Sequence, residues 1–576
     1  MQRFFPFLDW LHQYKKSYLS KDMVGGITVG ILLVPQGMAY AMIAGLPPVY
    51  GLYASLFPIL IYAFLGTSRQ LAMGPVAMDS LLVASGLGAM AISGLENYII
   101  MAVFLAFLVG CIQLLLGVFR MGFLVNFLSK PVISGFTSAA ALIIMFSQLK
   151  HLLGTDIEGG SQFHLLLANA LEKIPETNPY DFGIGIVGIL AIVLLKLWNR
   201  RIPGILLVVV LGILAVYFLN LEMLGVEIVG NIPTGLPAFS IPKISFQNTM
   251  DLWPIAITLA LVGYLEAISI GKALEEKNDQ YTIDANKELV ALGTSNIVGS
   301  FFQSYPVTAS FSRSAISNES GTKTNLASIF SLILVVVALL FLTPLFYYLP
   351  NAVLASIIMV SVFGLIDFTY PMSLWYHRKD EFVVWFLTFL VTLFVSITTG
   401  ILIGVLFSLL LMVYRTSKPH FAVLGNIKNS DYYKNVKRFG NEVVIREDLL
   451  IVRFDAQLYF GNSSYFKKQL FKYIDSKGDQ LQGIVLNAEA INYIDSTAAK
   501  MLKAVIDEVH QRAIQFYIAG AIGPTRDIIF RGGIIDTLGR ENLFVRIKEA
   551  VNYFDDPSST VSVLQEKVAN QNLNPM

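Results

Sequence analysis

Two short stretches interrupt the apolar character of this 576-residue chain in a similar way: residues 73–77 read MGPVA and residues 304–309 read SYPVTA. Proline suits the first turn of a helix, where its missing N–H removes no bond and the N–H groups that follow stay free. Two helices that begin inside a membrane would direct those N–H groups and their positive dipole ends towards one point, which is a site for an anion. The alternative is two ordinary spans that begin at a proline.

The composition places the chain in a lipid bilayer. Hydrophobic residues make up 55% of it, charged residues 14%, and the mean hydropathy is +0.63, a combination that soluble proteins do not show. The formal net charge is +1, so no basic field indicates a nucleic-acid partner. A single cysteine, Cys111, excludes an internal disulfide and a cysteine-based metal site. Neither a cofactor nor a bound metal is predicted.

Apolar segments of about 20 residues, the length that crosses a bilayer, continue from near Met23 to Tyr414. The pattern predicts fourteen spans. Lysine and arginine gather in the even-numbered loops, for example at Arg69, Arg120 and Arg378, which places both termini in the cytoplasm. The predicted spans are residues 23–44, 49–66, 75–93, 98–119, 131–149, 181–198, 203–220, 252–274, 287–301, 307–319, 325–343, 351–366, 381–398 and 400–414.

From about Val443 the hydrophobic pattern becomes that of a soluble α/β domain. Residues 449–454 (LLIVRF) and 483–486 (GIVL) predict buried strands, and a third strand is expected over 514–519. Helices are expected over 462–476, from Ser496, over 524–531 and over 540–553. The predicted organisation is a transmembrane domain over 1–415, a polar linker over 416–440, the soluble domain over 441–554 and a disordered tail over 555–576.

Three of the ionisable residues inside the predicted spans are functional candidates, because a charge there is costly unless it faces a cavity or a partner. Glu266, deep in the eighth span, suits a carboxyl that exchanges a proton or holds a cation; its alternative is a structural carboxyl bonded to a neighbouring helix. Arg313, in the tenth span, would add a fixed positive charge to the helix ends or would only pair with a carboxylate. Asp79, in the third span, could cap backbone, pair with Arg313 or assist coupling, and the sequence does not rank these roles.

Gln36 in the first span offers a neutral donor and acceptor, and Tyr40 lies on the same helix face. At these residues the sequence resembles the SulP anion transporter family. The resemblance covers nearly the whole chain. The stretches that carry it are 34–41 (VPQGMAYA), 44–53 (AGLPPVYGLY), 64–69 (FLGTSR), 74–77 (GPVA), 301–304 (FFQS) and 309–314 (ASFSRS).

This resemblance implies an α-helical polytopic membrane protein built as a seven-plus-seven inverted repeat. A core domain of spans one to four and eight to eleven would move in an elevator-like manner against a gate domain of the other spans. Val76 stands where some relatives carry an aromatic residue, and Asp79 stands where an apolar residue is expected. The residues that the resemblance assigns to the anion site are Gln36, Tyr40, Val76, Ala77, Ala309, Ser310, Ser312 and Arg313, with Thr308 and Asp79 as further candidates.

Glu266 occupies the position where proton-coupled members of the family carry a carboxylate. Sodium-coupled bicarbonate members have a shorter Asp with a hydroxyl one turn later, whereas this chain has Ile270 there. Because sodium needs several oxygen ligands, protons are preferred as the coupling ion.

Residues 494–499 (IDSTAA) resemble the loop and helix start of STAS modules, so the soluble domain is predicted to be one. Asp495 can cap the helix that follows, which is a sufficient structural reason for the motif. A serine at the place of Ser496 is phosphorylated in some stand-alone STAS proteins, which makes it a regulatory candidate. In this family STAS domains commonly contribute to dimer contacts.

The sequence therefore predicts a homodimeric secondary transporter of the inner (plasma) membrane that moves an inorganic oxyanion such as sulfate together with protons. The alternatives are a sodium-dependent bicarbonate symporter or a dicarboxylate transporter of the same family, a nucleobase permease, and a signalling receptor whose STAS domain binds a partner. No nucleophile–base pair or metal-ligand cluster indicates an enzyme. Sulfate, bicarbonate and dicarboxylates all offer acceptor oxygens, so the sequence does not decide which of them is transported.

Overall fold

The structure, a computed structural model, describes residues 6–12, 14–88, 90, 92–123, 129–155, 163–198, 203–243, 246–276, 281–428 and 430–558. From residue 559 onwards, the predicted tail lies outside these described residues. The chain divides into two compact units, residues 1–408 and 409–576.

The first unit is almost entirely helical. Each predicted span coincides with a helix or a pair of short helices, although only seven of the described helices are both long and apolar enough to cross a membrane. The number fourteen therefore stays a prediction. The helices are α1 Phe7–His12, α2 Lys16–Ile43, α3 Val49–Tyr53, α4 Phe57–Leu65, α5 Ala77–Gly88, α6 Leu95–Val118, α7 Lys130–Ser147, α8 Leu149–Leu153, α9 Phe163–Lys173, α10 Pro179–Trp198, α11 Gly204–Leu219, α12 Phe246–Glu275, α13 Ala285–Ser300, α14 Phe311–Glu319, α15 Leu326–Val337, α16 Asn351–Phe363, α17 Thr369–His377, α18 Lys379–Phe394 and α19 Ile397–Ser417. Two-residue strands, β1 Met73–Gly74 and β2 Thr308–Ala309, precede α5 and α14.

Part of the helix packing in this unit agrees with the predicted repeat. If spans one to seven correspond to spans eight to fourteen, exchanging the two halves should convert a contact between two helices into a contact between their counterparts. The contact between α2 and α15 corresponds to that between α12 and α6, and the contact between α2 and α14 to that between α12 and α5. The contact between α4 and α15 corresponds in the same way to that between α13 and α6. All six contacts are present. The pair α7–α18 converts likewise into α16–α10. These four exchanges agree with a seven-plus-seven repeat, whereas the contacts of α11 with α2 and α16 have no counterpart of similar extent for α19, so the repeat stays a prediction.

The contact between α6 and α13 is close because glycines face each other there. A Cβ atom on Gly110 would lie 2.7 Å from the carbonyl oxygen of Gly293, and one on Gly293 would lie 2.4 Å from the backbone nitrogen of Leu114. Small residues let membrane helices approach to backbone contact in this way. Any larger side chain at either position would separate the two helices.

The second unit contains a mixed sheet flanked by helices. Strands β6 to β9 run parallel, whereas β3 is antiparallel to β6, and the order is β4-β3-β6-β7-β8-β9, with β5 also paired to β3. The elements are β3 Phe421–Ile427, β4 Tyr433–Asn435, α20 Val436–Phe439, β5 Val443–Val444, β6 Leu449–Phe454, α21 Ser463–Lys477, β7 Gly483–Asn487, α22 Ser496–Gln511, β8 Gln515–Ala519, α23 Gly523–Arg531, α24 Ile534–Leu538, β9 Leu543–Phe544 and α25 Ile547–Asp555.

Two expectations about this unit are wrong. The segment 416–440 is not simply a linker, because it contains β3, β4 and α20; the ring of Phe421 packs against Phe454 and Phe466, which holds β3 against the sheet. The predicted helix 540–553 begins only at Ile547, because Leu543 and Phe544 pair with β8 as a short parallel strand.

Candidate functional site

The structure brings the two interrupted stretches into direct backbone contact. Strands β1 and β2 pair antiparallel, with Met73 opposite Ala309 and Gly74 opposite Thr308. The contact continues beyond the strands, since the backbone N–H of Ser310 donates to the carbonyl of Ala72 at 2.9 Å. Because α5 follows β1 and α14 follows β2, the first turns of these two helices lie beside one shared backbone pair.

The predicted role of the two prolines is wrong. Pro75 precedes Val76, whose carbonyl accepts the first helical bond of α5 from Ser80 at 3.1 Å, and Pro306 precedes β2 rather than α14. Gly74, the residue before Pro75, lies in β1, whereas β2 begins two residues after Pro306. The prolines therefore mark the breaks between span and strand, while Val76 and Ser310 are the residues that begin the helices.

Arg313 lies at the centre of this arrangement. Its side chain is fully buried, and its Nη2 donates to the carbonyl of Pro75 at 2.8 Å, which ties α14 to the segment before α5. Its Nε and Nη1 have no hydrogen-bond partner among the described residues. Tyr40 and Glu266 are close enough to interact with the guanidinium electrostatically. Arg313 thus retains N–H groups that an anion could use.

The other predicted anion-site residues surround this centre. Gln36 and Tyr40 are buried one turn apart on α2, and the Gln36 Oε1 has no hydrogen-bond partner among the described residues. The hydroxyl of Tyr40 faces Ser361 on α16. Ser310 is buried, whereas Ser312 is exposed, and their hydroxyl oxygens lie 3.4 Å apart. The remaining members, which are all buried, are Val76, Ala77 and Ala309.

Two carboxyl groups lie beside the arginine. Glu266 is half-buried on α12, and its Oε2 has no hydrogen-bond partner in the described part of the chain. Asp79 is buried on α5, and the described residues show neither an ion pair between it and Arg313 nor a partner for its Oδ1. The hydroxyl of Thr308 donates to the carbonyl of Gly263 at 2.7 Å, so its role here is to fasten β2 to α12.

A buried amide clamp holds β2 in place, and the sequence analysis missed it. Asn296 on α13 accepts from the backbone N–H of Val307 at 2.9 Å and donates to the Val307 carbonyl at 3.0 Å. It also donates to Gln113 on α6 at 3.1 Å, and Gln113 donates to the carbonyl of Ala260 at 3.2 Å. Polar side chains within apolar spans are the signal that could have revealed both residues.

Comparison with known proteins agrees with these observations. The model of the sulfate permease family matches residues 19–388, and the STAS domain model matches residues 441–550. The chain belongs to the sulfate permease family. The predicted resemblance and the predicted fold class, a helical membrane domain followed by a STAS domain, are confirmed.

Several known proteins are similar to this sulfate permease family member over most of its length. "Sulfate transporter 4.1, chloroplastic" from Arabidopsis thaliana is 39% identical, and the match covers 95% of this chain and 82% of the relative. The murine Slc26a9 anion transporter is 29% identical with a TM-score of 0.88, over 96% of this chain and 94% of that structure. The transmembrane domain of the cyanobacterial bicarbonate transporter BicA, at 20% identity and a TM-score of 0.57 over 69% of this chain and 98% of its own, shows the fold alone.

The STAS domain of this family member has the predicted helix cap. Asp495 accepts from the backbone N–H of Ala498 at 2.7 Å, which confirms that it caps α22. Its second carboxylate oxygen accepts from the backbone N–H of Phe460 at 2.9 Å, so the same side chain also fixes the loop after β6. Ser496 is exposed at the start of α22, and its regulatory role stays a prediction.

Proposed function

We propose that this protein transports an inorganic oxyanion, with sulfate as its substrate and protons as the coupling ions. The observation that carries the proposal is the pairing of β1 with β2, which brings the starts of α5 and α14 together beside the buried Arg313. Free backbone N–H groups at helix starts and a guanidinium are complementary to an oxyanion. Similarity to a protein named as a sulfate transporter supports the choice of sulfate.

In this proposal the oxyanion accepts a hydrogen bond from Arg313, whose Nε and Nη1 have no other hydrogen-bond partner among the described residues. Hydrogen bonds from a charged guanidinium to an anion are stronger than those between neutral groups. The hydroxyls of Ser310 and Ser312 and the backbone N–H of Ala77 would complete the anion's coordination, and Gln36 and Tyr40 would close it from α2.

Glu266 would couple anion binding to proton binding through Arg313. When Glu266 is ionised, its carboxylate attracts the guanidinium of Arg313 and so competes with the anion. When Glu266 is protonated, this attraction is lost and the positive charge of Arg313 is available to the anion. Proton and anion therefore favour each other's binding, which is the reciprocity that symport requires.

The same proposal includes the movement. The site draws on α2, α5, α12 and α14, and these helices pack on one another, whereas α7, α10, α16 and α18 form a second packed group. We expect the first group to carry the anion past the second, in an elevator-like manner. The proposal also comprises a homodimer in the inner membrane with cytoplasmic termini, a transport domain over 1–415 and a STAS domain that includes β3 and β4 and ends at residue 554.

Uptake of radiolabelled sulfate into proteoliposomes tests the function. A pH gradient, acidic outside, should drive accumulation without sodium, and Glu266→Gln should reduce that accumulation. Glu275→Gln on the same helix is the matched control, because Glu275 pairs with Lys272 and lies away from Arg313. Unchanged accumulation by Glu266→Gln would exclude the coupling role. Dependence on sodium with bicarbonate as the better substrate would favour a bicarbonate symporter, and tight binding of a partner without any flux would favour a receptor.

A further inference from the structure

Asp79 is a second buried carboxyl at the site, and coupling through Glu266 alone leaves it without a role. It is 2% exposed and lies in the first turn of α5. Its Oδ1 has no hydrogen-bond partner among the described residues, and its Oδ2 lies 3.4 Å from where a Cβ on Gly263 would stand. Gly263 and Glu266 are three residues apart on α12 and therefore share one helix face. The two carboxyls thus approach each other along that face.

Among the described residues, no cationic side chain forms an ion pair with Asp79. Helix α5 packs against α2, α6, α7 and α12. Of the described titratable groups on these helices and on the segment before β2, those that act on Asp79 electrostatically are Glu266 and Tyr305. Arg313 acts on Tyr40, Tyr305 and Glu266. With Asp79 buried and Glu266 half-buried, two carboxylates side by side would repel each other and lose hydration, and binding protons removes both costs.

The charges at the site determine when both carboxyls must be neutral. Arg313 contributes one positive charge, and the starts of α5 and α14 contribute about half a charge each. This total of about two positive charges balances a dianion such as sulfate only if Asp79 and Glu266 are both uncharged. An ionised Asp79 would leave the occupied site with an unbalanced negative charge in a buried position.

We propose that Asp79 and Glu266 each bind one proton when the anion binds, so that two protons accompany each dianion. The inference rests on the proposed proton-coupled function and adds its stoichiometry. Each proton comes from the solution and is bound by a carboxylate oxygen; both are released with the anion on the other side. The combined load is electrically neutral.

The coupling ratio can be measured in proteoliposomes clamped at zero membrane potential, with sulfate as the substrate. Two coupled protons make the equilibrium accumulation of sulfate change about 100-fold for each unit of pH gradient, whereas one proton gives about 10-fold. We expect about 100-fold for the wild type and about 10-fold for Asp79→Asn. Asp181→Asn is the matched control, because Asp181 is an equally buried aspartate on α10, and it should keep the ratio of the wild type.

The possible failures are distinguishable. A wild-type ratio of about 10-fold, or an Asp79→Asn ratio equal to that of the wild type, would overturn the second proton and leave coupling through Glu266 intact. Accumulation in the wild type that does not depend on the pH gradient would overturn the proposed function itself. A requirement for sodium would show that sodium, not protons, is the coupling ion. If Asp79→Asn does not fold, sulfate binding to the wild type in detergent decides the matter: at alkaline pH the affinity should fall about 100-fold per pH unit, and a fall of about 10-fold would contradict the inference.

Discussion

Replacing Asn296 with alanine should loosen β2 and thereby weaken anion binding, although Asn296 itself is not expected to touch the anion. The substitution removes the acceptor of the Val307 N–H, the donor to the Val307 carbonyl and the donor to Gln113. These three groups are buried, and each one left unsatisfied costs about 1–3 kcal/mol. Even if relaxation recovers half of this cost, only a minority of the molecules keep β2 ordered. The apparent affinity for sulfate then falls in proportion to that ordered fraction. We expect a loss of affinity of at least about tenfold.

Hydrogen exchange and radiolabelled sulfate binding, both on the purified protein, measure the two parts of this effect. Amides of residues 305–312 should exchange faster in Asn296→Ala, and the Kd for sulfate should rise together with the exchange rate. Ser295→Ala is the matched control, because Ser295 is equally buried on α13 but donates only to the carbonyl of Ala291 in its own helix. Unchanged exchange at β2 with an unchanged Kd would refute the idea that this amide clamp orients the site.

Two further predictions concern Arg313 and Asp495. Arg313→Ala should weaken sulfate binding by about 1–3 kcal/mol, the cost of losing a charged hydrogen bond. Arg313→Lys should bind more tightly than the alanine variant because it keeps the positive charge. If Arg313→Ala binds sulfate as tightly as the wild type, Arg313 has a structural role only. Asp495→Ala should destabilise the start of α22 by about 1 kcal/mol, because it removes the helix cap and the acceptor of the Phe460 N–H. Hydrogen exchange of the full-length protein measures this loss of stability at the start of α22. Asp507→Ala, an exposed position on the same helix, is the control. Equal protection of α22 in the two variants would contradict the prediction.

The helices of the membrane unit were predictable because long apolar segments leave few alternatives in lipid. The meeting of the two interrupted stretches was also anticipated, since proline and glycine mark breaks in otherwise continuous spans. The strand pair between Met73 and Ala309 was not anticipated, because two residues show no periodicity and the pairing partner lies more than two hundred positions away. For the same reason the prolines were assigned to helix starts that belong to Val76 and Ser310.

The other misses have similar causes. Strand β3 reads FAVLGNI, a short apolar run inside a segment that was predicted to be a polar linker, and its pairing with β6 places it in the sheet. The roles of Asn296 and Thr308 depend on partners on other helices, which no local pattern predicts. Asp79 was recognised as unusual, but its position against α12 beside Glu266 required the coordinates.

The strand pair has a consequence for how such a protein could have arisen. In the predicted seven-plus-seven repeat, one strand of the pair comes from the first repeat and the other from the second, and the two repeats would cross the bilayer in opposite senses. A half-length ancestor could have built this backbone pair only if two copies had inserted with opposite topologies and then associated. Gene duplication and fusion would have made that pairing permanent, and each half was then free to diverge, one acquiring Asp79 and the other Glu266 and Arg313.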